Sequence, residues 1–428
     1  MKLKKLTLAL ALTGLGFAAT AQQTLRLSLG EAQQYAVEHN ATMRNADLDV
    51  QKAELERWKT LSTMLPSVKA GFDYQNMMGY KMTLGGFNIP MDPNGTFSIT
   101  AAVALTGAQI VGVMLQDIAQ EMTDINRQQT EQTTCSQVKN VYVSILVMEQ
   151  TAGLLDSSLA NLEQLAATSQ AAVNVGAAEQ VDADKLQVQV DTLKNSINTT
   201  KRSLQVLRNS LLLQLGADVN ATVELTTPVE DILNVDAAAK LLGETFQLEN
   251  NYTYRLLEQN ERLAEKQVTM AWMDFTPTVS VFYQYSDKVY FGDEGMNMTP
   301  PNMVGASLSV PLWSSLAKKS AVEQSKLNYK TTENTFNDTK NSLLVQDHQL
   351  RYNVTSAYET YLIQQDNVDV TKRVFDNISK KFEYGRASSL EVTNASTDII
   401  NAQNNYLKAL LELVQAHIEL RTLLNISK

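Results

Sequence analysis

Residues 64–75 read MLPSVKAGFDYQ and residues 275–286 read FTPTVSVFYQYS. In each copy a proline opens a run that alternates with period two. Val68, Ala70, Phe72 and Tyr74 share one side, with Lys69, Gly71, Asp73 and Gln75 on the other. Val279, Val281, Tyr283 and Tyr285 repeat the apolar side, and Phe282 is the exception among Ser280, Gln284 and Ser286. Such alternation predicts strands with one apolar face. Each run has a companion: Phe97, Ile99, Ala101 and Val103 after the turn-rich Pro93-Asn94-Gly95, and Val304, Ala306, Leu308 and Val310 opposite Ser307 and Ser309. Strands of about ten residues, apolar on one face, suit a membrane β-barrel. Four strands cannot close one, because about eight is the smallest barrel. Open edges in hydrocarbon would strand backbone groups at several kcal/mol each. If this sheet lies in lipid, several chains share it. Aromatic residues fall at both ends, with Tyr80, Tyr290 and Phe291 near the loops and Trp313 at the far end, as headgroup-level residues do.

Beyond these runs proline disappears. None of the eight prolines lies between Asn94 and Thr227, and none follows Pro311. Proline costs about 3 kcal/mol and glycine about 1 kcal/mol inside a helix, so both stretches are free to be continuous helix. Leu186, Val190, Leu193 and Ile197 form one apolar stripe, and Leu407, Leu410, Leu411 and Val414 another. A helix from Ile110 to Val173 would run roughly 95 Å, a length that packs sideways against other long helices. Gly176 and Gly385 interrupt the two regions, where a glycine can cap one helix before another leaves. Two long helical hairpins follow.

The N-terminus reads as a secretory signal over residues 1–21. Lys2, Lys4 and Lys5 form a basic head, Leu6 to Phe17 an apolar run, and Ala19-Thr20-Ala21 a small-x-small cleavage pattern. Position 22 is Gln, not the Cys of a lipoprotein anchor. The chain holds 36 basic and 46 acidic residues; without the three signal lysines the balance is 33 − 46 = −13. That charge argues against a nucleic-acid partner. Cys135 is the single cysteine, so no intrachain disulfide can form. His39, His348 and His417 lack metal-ligand spacing. No phosphate loop, nucleophile elbow or paired-cysteine motif appears, so neither an enzyme nor a cofactor is expected.

The order helix, strand pair, long helix, glycine, helix occurs twice. Glu38 to Arg44 aligns with Glu249 to Arg255 at a shift of 249 − 38 = 211, and the same shift carries Pro66 to Pro277 and Tyr74 to Tyr285. Gly176 maps to Gly385 at 385 − 176 = 209, with Val181-Asp182 facing Leu390-Glu391. This divides the chain into a first repeat over 22–220, a helical linker over 221–241 with Pro228 inside, and a second repeat over 242–428.

In these features the chain resembles the TolC-like outer-membrane efflux protein family. The resemblance rests on Leu27-Ser28-Leu29-Gly30-Glu31-Ala32 followed by Val37-Glu38-His39-Asn40, on Leu65-Pro66-Ser67 before a strand and on Val310-Pro311-Leu312-Trp313 after one. The segments from Val175-Gly176 to Asp182 and from Tyr384-Gly385 to Glu391 are similar too. Ala104 departs from the pattern where Pro311 stands in the second half.

The resemblance implies a mainly α protein with a small membrane β-sheet. Three chains would close a 12-stranded β-barrel in the outer membrane, continued by a long α-helical barrel in the periplasm. It implies a homotrimer acting as a passive duct, with a periplasmic adaptor, an inner-membrane pump and outer-membrane lipid as partners. Val175, Gly176, Ala177, Tyr384 and Gly385 would be adaptor-contact tips. Asp182 and Glu391 would be gate carboxylates, with Arg386 beside Ala387, where some members carry a gate arginine. One-step protein secretion is an alternative use of such a duct. A periplasmic coiled-coil scaffold would explain the helices but not the duplicated strands.

Overall fold

The computed structural model describes residues 24–228, 232, 240–292 and 300–426. The signal assigned to 1–21 lies outside the described residues, as does most of the linker between 229 and 239. The first half comprises β1 (Thr24–Leu27), α1 (Leu29–His39), α2 (Ala41–Ser62), β2 (Ser67–Gln75), β3 (Lys81–Leu84), β4 (Phe87–Pro90), β5 (Asn94–Leu105), α3 (Gly107–Asn174), α4 (Gln180–Leu215) and β6 (Thr222–Leu225). The second comprises a 3-10 turn (Leu248–Asn250), α5 (Tyr252–Met273), β7 (Thr278–Tyr290), β8 (Asn302–Ser309), α6 (Ala317–Glu383) and α7 (Ser389–Leu424). The expected strands and helical hairpins are all present. β3 and β4 form a short hairpin that the sequence analysis does not predict. Gly85 and Gly86 make its turn with φ of 58° and 87°, the two positive values a type I′ turn demands.

The chain divides into two compact units. The first takes Met1–Asn40, Thr134–Ala237 and Ala357–Gln415. One of its cores gathers Leu155, Leu162 and Leu165 of α3, the α4 stripe Leu186, Val190, Leu193 and Ile197, Phe375 of α6, and Val392, Ala395 and Ile399 of α7. The other packs Ala32 and Ala36 of α1 against Val138, Tyr142 and Ile145 of α3 and Leu211, Leu212 and Leu215 of α4.

The helical reading of the linker over 221–241 fails at its start. Thr222–Leu225 is a strand parallel to Thr24–Leu27, with Thr24 opposite Thr222 and Leu27 opposite Leu225. Alternation explains why: Val223 enters the core beside Leu25 and Leu27, while Arg26 and Glu224 pair outside at 2.7 Å. A helix would not sort these neighbours to opposite sides.

The second unit takes Ala41–Thr133, Ala238–Ser356 and Ala416–Lys428. Its antiparallel sheet runs β2-β5-β7-β8, so the two expected hairpins join through β5 and β7. The register aligns their faces. Val68 lies opposite Ala101, Ala101 opposite Tyr283, and Tyr283 opposite Val304, giving one apolar face across all four strands. Ser67, Ala102, Phe282 and Gly305 lie on the other face, which Ser280 and Ser307 share through a 2.7 Å hydrogen bond. The exceptional Phe282 packs over Gly305, where an added Cβ would collide with its ring. The apolar face is bare: Phe72 is 67% and Val304 75% exposed.

The duplication is also atomic. Asn40 donates to the Gln214 carbonyl at 2.6 Å, and Asn251 donates to the Leu423 carbonyl at 3.0 Å. Gly216 ends α4 with φ 69°, and Asn425, 425 − 216 = 209 positions on, ends α7 with φ 51°. Tyr142 and Arg351 differ by the same 351 − 142 = 209, and both hold the chain flanking the linker. The Tyr142 hydroxyl donates to the Leu27 carbonyl at 3.0 Å and accepts from the Thr227 amide at 3.0 Å. Arg351 grips both oxygens of Asp347 at 2.9 Å and donates to the carbonyls of Leu242 and Glu244 at 2.8 Å each.

Gly176 and Gly216 both have positive φ, but a Cβ at 176 meets open space while one at 216 meets backbone atoms of His39 and Asn40. Gly176→Ala should cost about 1 kcal/mol, the left-handed penalty, and Gly216→Ala at least about 3 kcal/mol, because backbone must move. Denaturant midpoints by circular dichroism compare them, and equal shifts would contradict the close approach. Asp347 is only 8% exposed, so Arg351→Leu leaves a buried carboxylate unpaired at roughly 3–5 kcal/mol. Adding Asp347→Leu should recover part of that loss; no recovery would mean that the ion pair is not what anchors the segment.

Candidate gate and contact tips

Each long hairpin turns on the same backbone device. At the first tip the Gly176 amide donates to the Val173 carbonyl at 2.9 Å and the Ala177 amide to Ala172 at 2.8 Å. At the second the Gly385 amide donates to Phe382 at 2.9 Å and the Arg386 amide to Lys381 at 2.7 Å. This 5→2 and 6→1 pair is the Schellman motif, which needs a left-handed residue at its centre. Gly176 and Gly385 supply it with φ of 79° and 67°. Val175 and Tyr384 stand exposed beside them, and Ala177 is exposed as well.

The helices that leave the tips start differently. Glu179 precedes α4 without a side-chain cap. Before α7, Ser388 and Glu391 form a reciprocal capping box. The Glu391 carboxylate accepts from the Ser388 amide at 2.7 Å and its hydroxyl at 2.9 Å, and the Ser388 hydroxyl accepts from the Glu391 amide at 3.2 Å. Ser28 and Glu31 cap α1 in the same way. The Ser388 amide, then its hydroxyl, hold the Glu391 carboxyl below the usual carboxylate range. Glu391 therefore stays ionised at neutral pH. Because the folded-state value is depressed, the cap's contribution is present above the ordinary range and lost as pH falls through the lowered value.

Asp182, in the first turn of α4, accepts a hydrogen bond from the hydroxyl of Ser389, the first residue of α7. Lys185 lies 3.9 Å from the same carboxylate. About two turns along, Gln189 donates to Thr397 at 3.3 Å. The starts of α4 and α7 are thus laced together in front of the core that buries Leu186, Val190, Val392 and Ala395. Asp182 and Glu391 do not meet within the chain. Arg386 is exposed and, among the described residues, ion-pairs with neither. Ser389 was not singled out from the sequence, although Ser388-x-x-Glu391 is a legible helix start and places Ser389 at its first position. Among the described residues no group of three or more His, Cys, Asp or Glu could hold a metal ion.

Residues 247–425 match the family model described as outer membrane efflux protein. No curated protein sequence matches the chain. Solved structures match both halves. The chain superposes on the outer-membrane channel OprN with a TM-score of 0.76 at 13% identity, covering 92% of this chain and 89% of that one. It superposes on CusC, described as forming a transmembrane channel, with 0.77 at 13%, covering 93% and 92%. VceC of Vibrio cholerae gives 0.75 at 13%, covering 92% and 95%. At such identities the likeness establishes the fold, and the family match covers the second repeat. The family model thus spans most of the second repeat, and the likeness in fold spans both.

Proposed function

We propose that three copies of the chain pair their sheets into one 12-stranded barrel in the outer membrane, and that their helices continue it as a periplasmic duct. The observation that carries this reading is the four-stranded sheet itself, bare on its apolar face and, among the described residues, ending in β2 and β8 with no further neighbour. In hydrocarbon the face is satisfied by lipid, and the edges only by other strands. Among the described residues no helix is long and apolar enough to cross a membrane, so the sheet is the element left to do so. A periplasmic scaffold of helices would need no such sheet. The duct is passive and performs no reaction; a pump in the inner membrane supplies energy, and an adaptor joins the two.

We assign adaptor contact to the tips Val175, Gly176, Ala177, Tyr384 and Gly385, which stand exposed on turns fixed by their own backbone. Asp182 and Glu391 are the gate carboxylates, with Arg386 free to reach a neighbouring subunit. The capping box supports this role for Glu391, since it keeps the carboxylate charged and its backbone fixed. The Asp182–Ser389 bond ties the two helix starts of one subunit together and has to be kept or broken as a unit when the duct widens.

Planar-bilayer recordings check the gate. The Asp182→Ala, Glu391→Ala double variant should lose cation preference and open more readily. With Asp182→Ala alone, the cation preference that Glu391 supplies should persist as pH falls through the ordinary carboxylate range, because its cap holds that carboxyl lower. Unchanged selectivity and opening would remove both residues from the gate. Gly176→Glu should abolish efflux in cells while leaving trimers in the membrane, and full efflux would place the adaptor elsewhere.

A further inference from the structure

The end of the sheet that joins the long helices carries a cluster that the duplicated scaffold does not require. Trp272 and Phe275, at the close of α5, lie with ring centroids 5.7 Å apart. Lys318 of α6 sits 5.9 Å over the Phe275 ring and Lys326 sits 5.7 Å over the Trp272 ring. Lys318 also donates to the Asp274 carbonyl, which uses one of its three donors. Residues 317–330 hold four lysines, Lys318, Lys319, Lys326 and Lys330, against one acid, Glu323. Glu323 pairs with Lys326 at 2.9 Å. Just before them Leu312 is 91% and Trp313 79% exposed.

The first repeat serves as an internal control. Its equivalent stretch, the start of α3 from Gly107 to Met122, has no lysine and carries Asp117, Glu121 and no aromatic residue. Those acids are paired with Arg57 at 2.5 Å and Arg262 at 3.1 Å. The end of α2 does carry Arg57, Trp58 and Lys59, so what sets the second repeat apart is the lysine run on its long helix, which α3 lacks. Lys318 and Lys319 also stand in the first turn of a helix, where the dipole disfavours cations. In a chain of net charge −10, a local excess of 4 − 2 = 2 positive charges, counting Glu323 and Asp274 against the four lysines, among exposed indole and aliphatic groups matches an amphiphile with an anionic head.

We infer that Lys318, Lys319 and Lys326, with Trp272 and Trp313, form a binding site for the headgroup of an anionic phospholipid in the periplasm-facing leaflet. The ammonium groups hold the phosphate, the indoles lie at glycerol depth, and Leu312 meets the acyl chains. Each subunit carries one site, on its second repeat. The inference rests on the barrel reading, which places this end of the sheet at the inner membrane–water boundary.

Brominated lipids quench indoles they touch and so read the site directly. The mature protein with Trp58→Phe, leaving Trp272 and Trp313, is reconstituted in phosphatidylcholine vesicles containing a minor fraction of brominated phosphatidylglycerol or of brominated phosphatidylcholine. Phosphatidylglycerol should quench at a mole fraction at least about fivefold lower, the value of one lysine near an anionic surface. Lys318→Gln, Lys319→Gln, Lys326→Gln should bring the two lipids level while leaving quenching by phosphatidylcholine intact. Equal quenching of the parent by both lipids would overturn the anionic site and leave the barrel standing. Quenching by neither would overturn the barrel reading on which the site rests.

Discussion

A β-sheet with two open edges cannot rest in hydrocarbon. Each edge amide and carbonyl left without a partner costs several kcal/mol in a medium that offers no hydrogen bonds, and β2 and β8 present a whole row of them. The face between those edges is apolar across four registered strands and exposed, so water suits it no better. Each requirement is met when neighbouring chains supply the missing strands and lipid covers the face. The rest of the molecule follows from this constraint. Within each chain β5 and β8 lead within about ten residues into the long helices α3 and α6, so each strand pair is continued by a helix.

The duplication reduces what the sequence has to specify. Asn40 and Asn251, Gly216 and Asn425, and Tyr142 and Arg351 occupy matched places and perform matched tasks on backbone atoms. Their chemistry differs where their surroundings differ. Tyr142 is fully buried and holds both an acceptor and a donor with one neutral hydroxyl. Arg351 needs Asp347 to balance its charge. At the tips the halves diverge again, with a capping box on one helix and none on the other. The Asp182–Ser389 bond links these unlike starts.

Much of this was legible in the residues. Missing proline marked α3, α4, α6 and α7, lone glycines marked both tips, and period-two alternation marked all four sheet strands. What stayed hidden were elements too short for periodicity to register. Thr222–Leu225 has four residues beside alanine- and leucine-rich sequence, and its strand state depends on a partner about 200 residues away. The turn at Gly85-Gly86 carries its own signal in two adjacent glycines, but the strands on either side have four residues each, too few for alternation to stand out. Asp182 and Glu391 were located through family likeness. Neither spacing nor composition pointed to Ser389, whose importance lies in a contact between repeats.

The central claim, that one chain's sheet is completed by its neighbours, is tested most directly at its edges. With Cys135 replaced by serine, one cysteine on β2 and one on β8 can be scanned for disulfide formation in intact outer membranes, with products sized under denaturing conditions. Edge-to-edge closure predicts at least one pair that yields a covalent trimer and nothing larger. Monomers at every pair, or an open ladder of higher multimers, would contradict it.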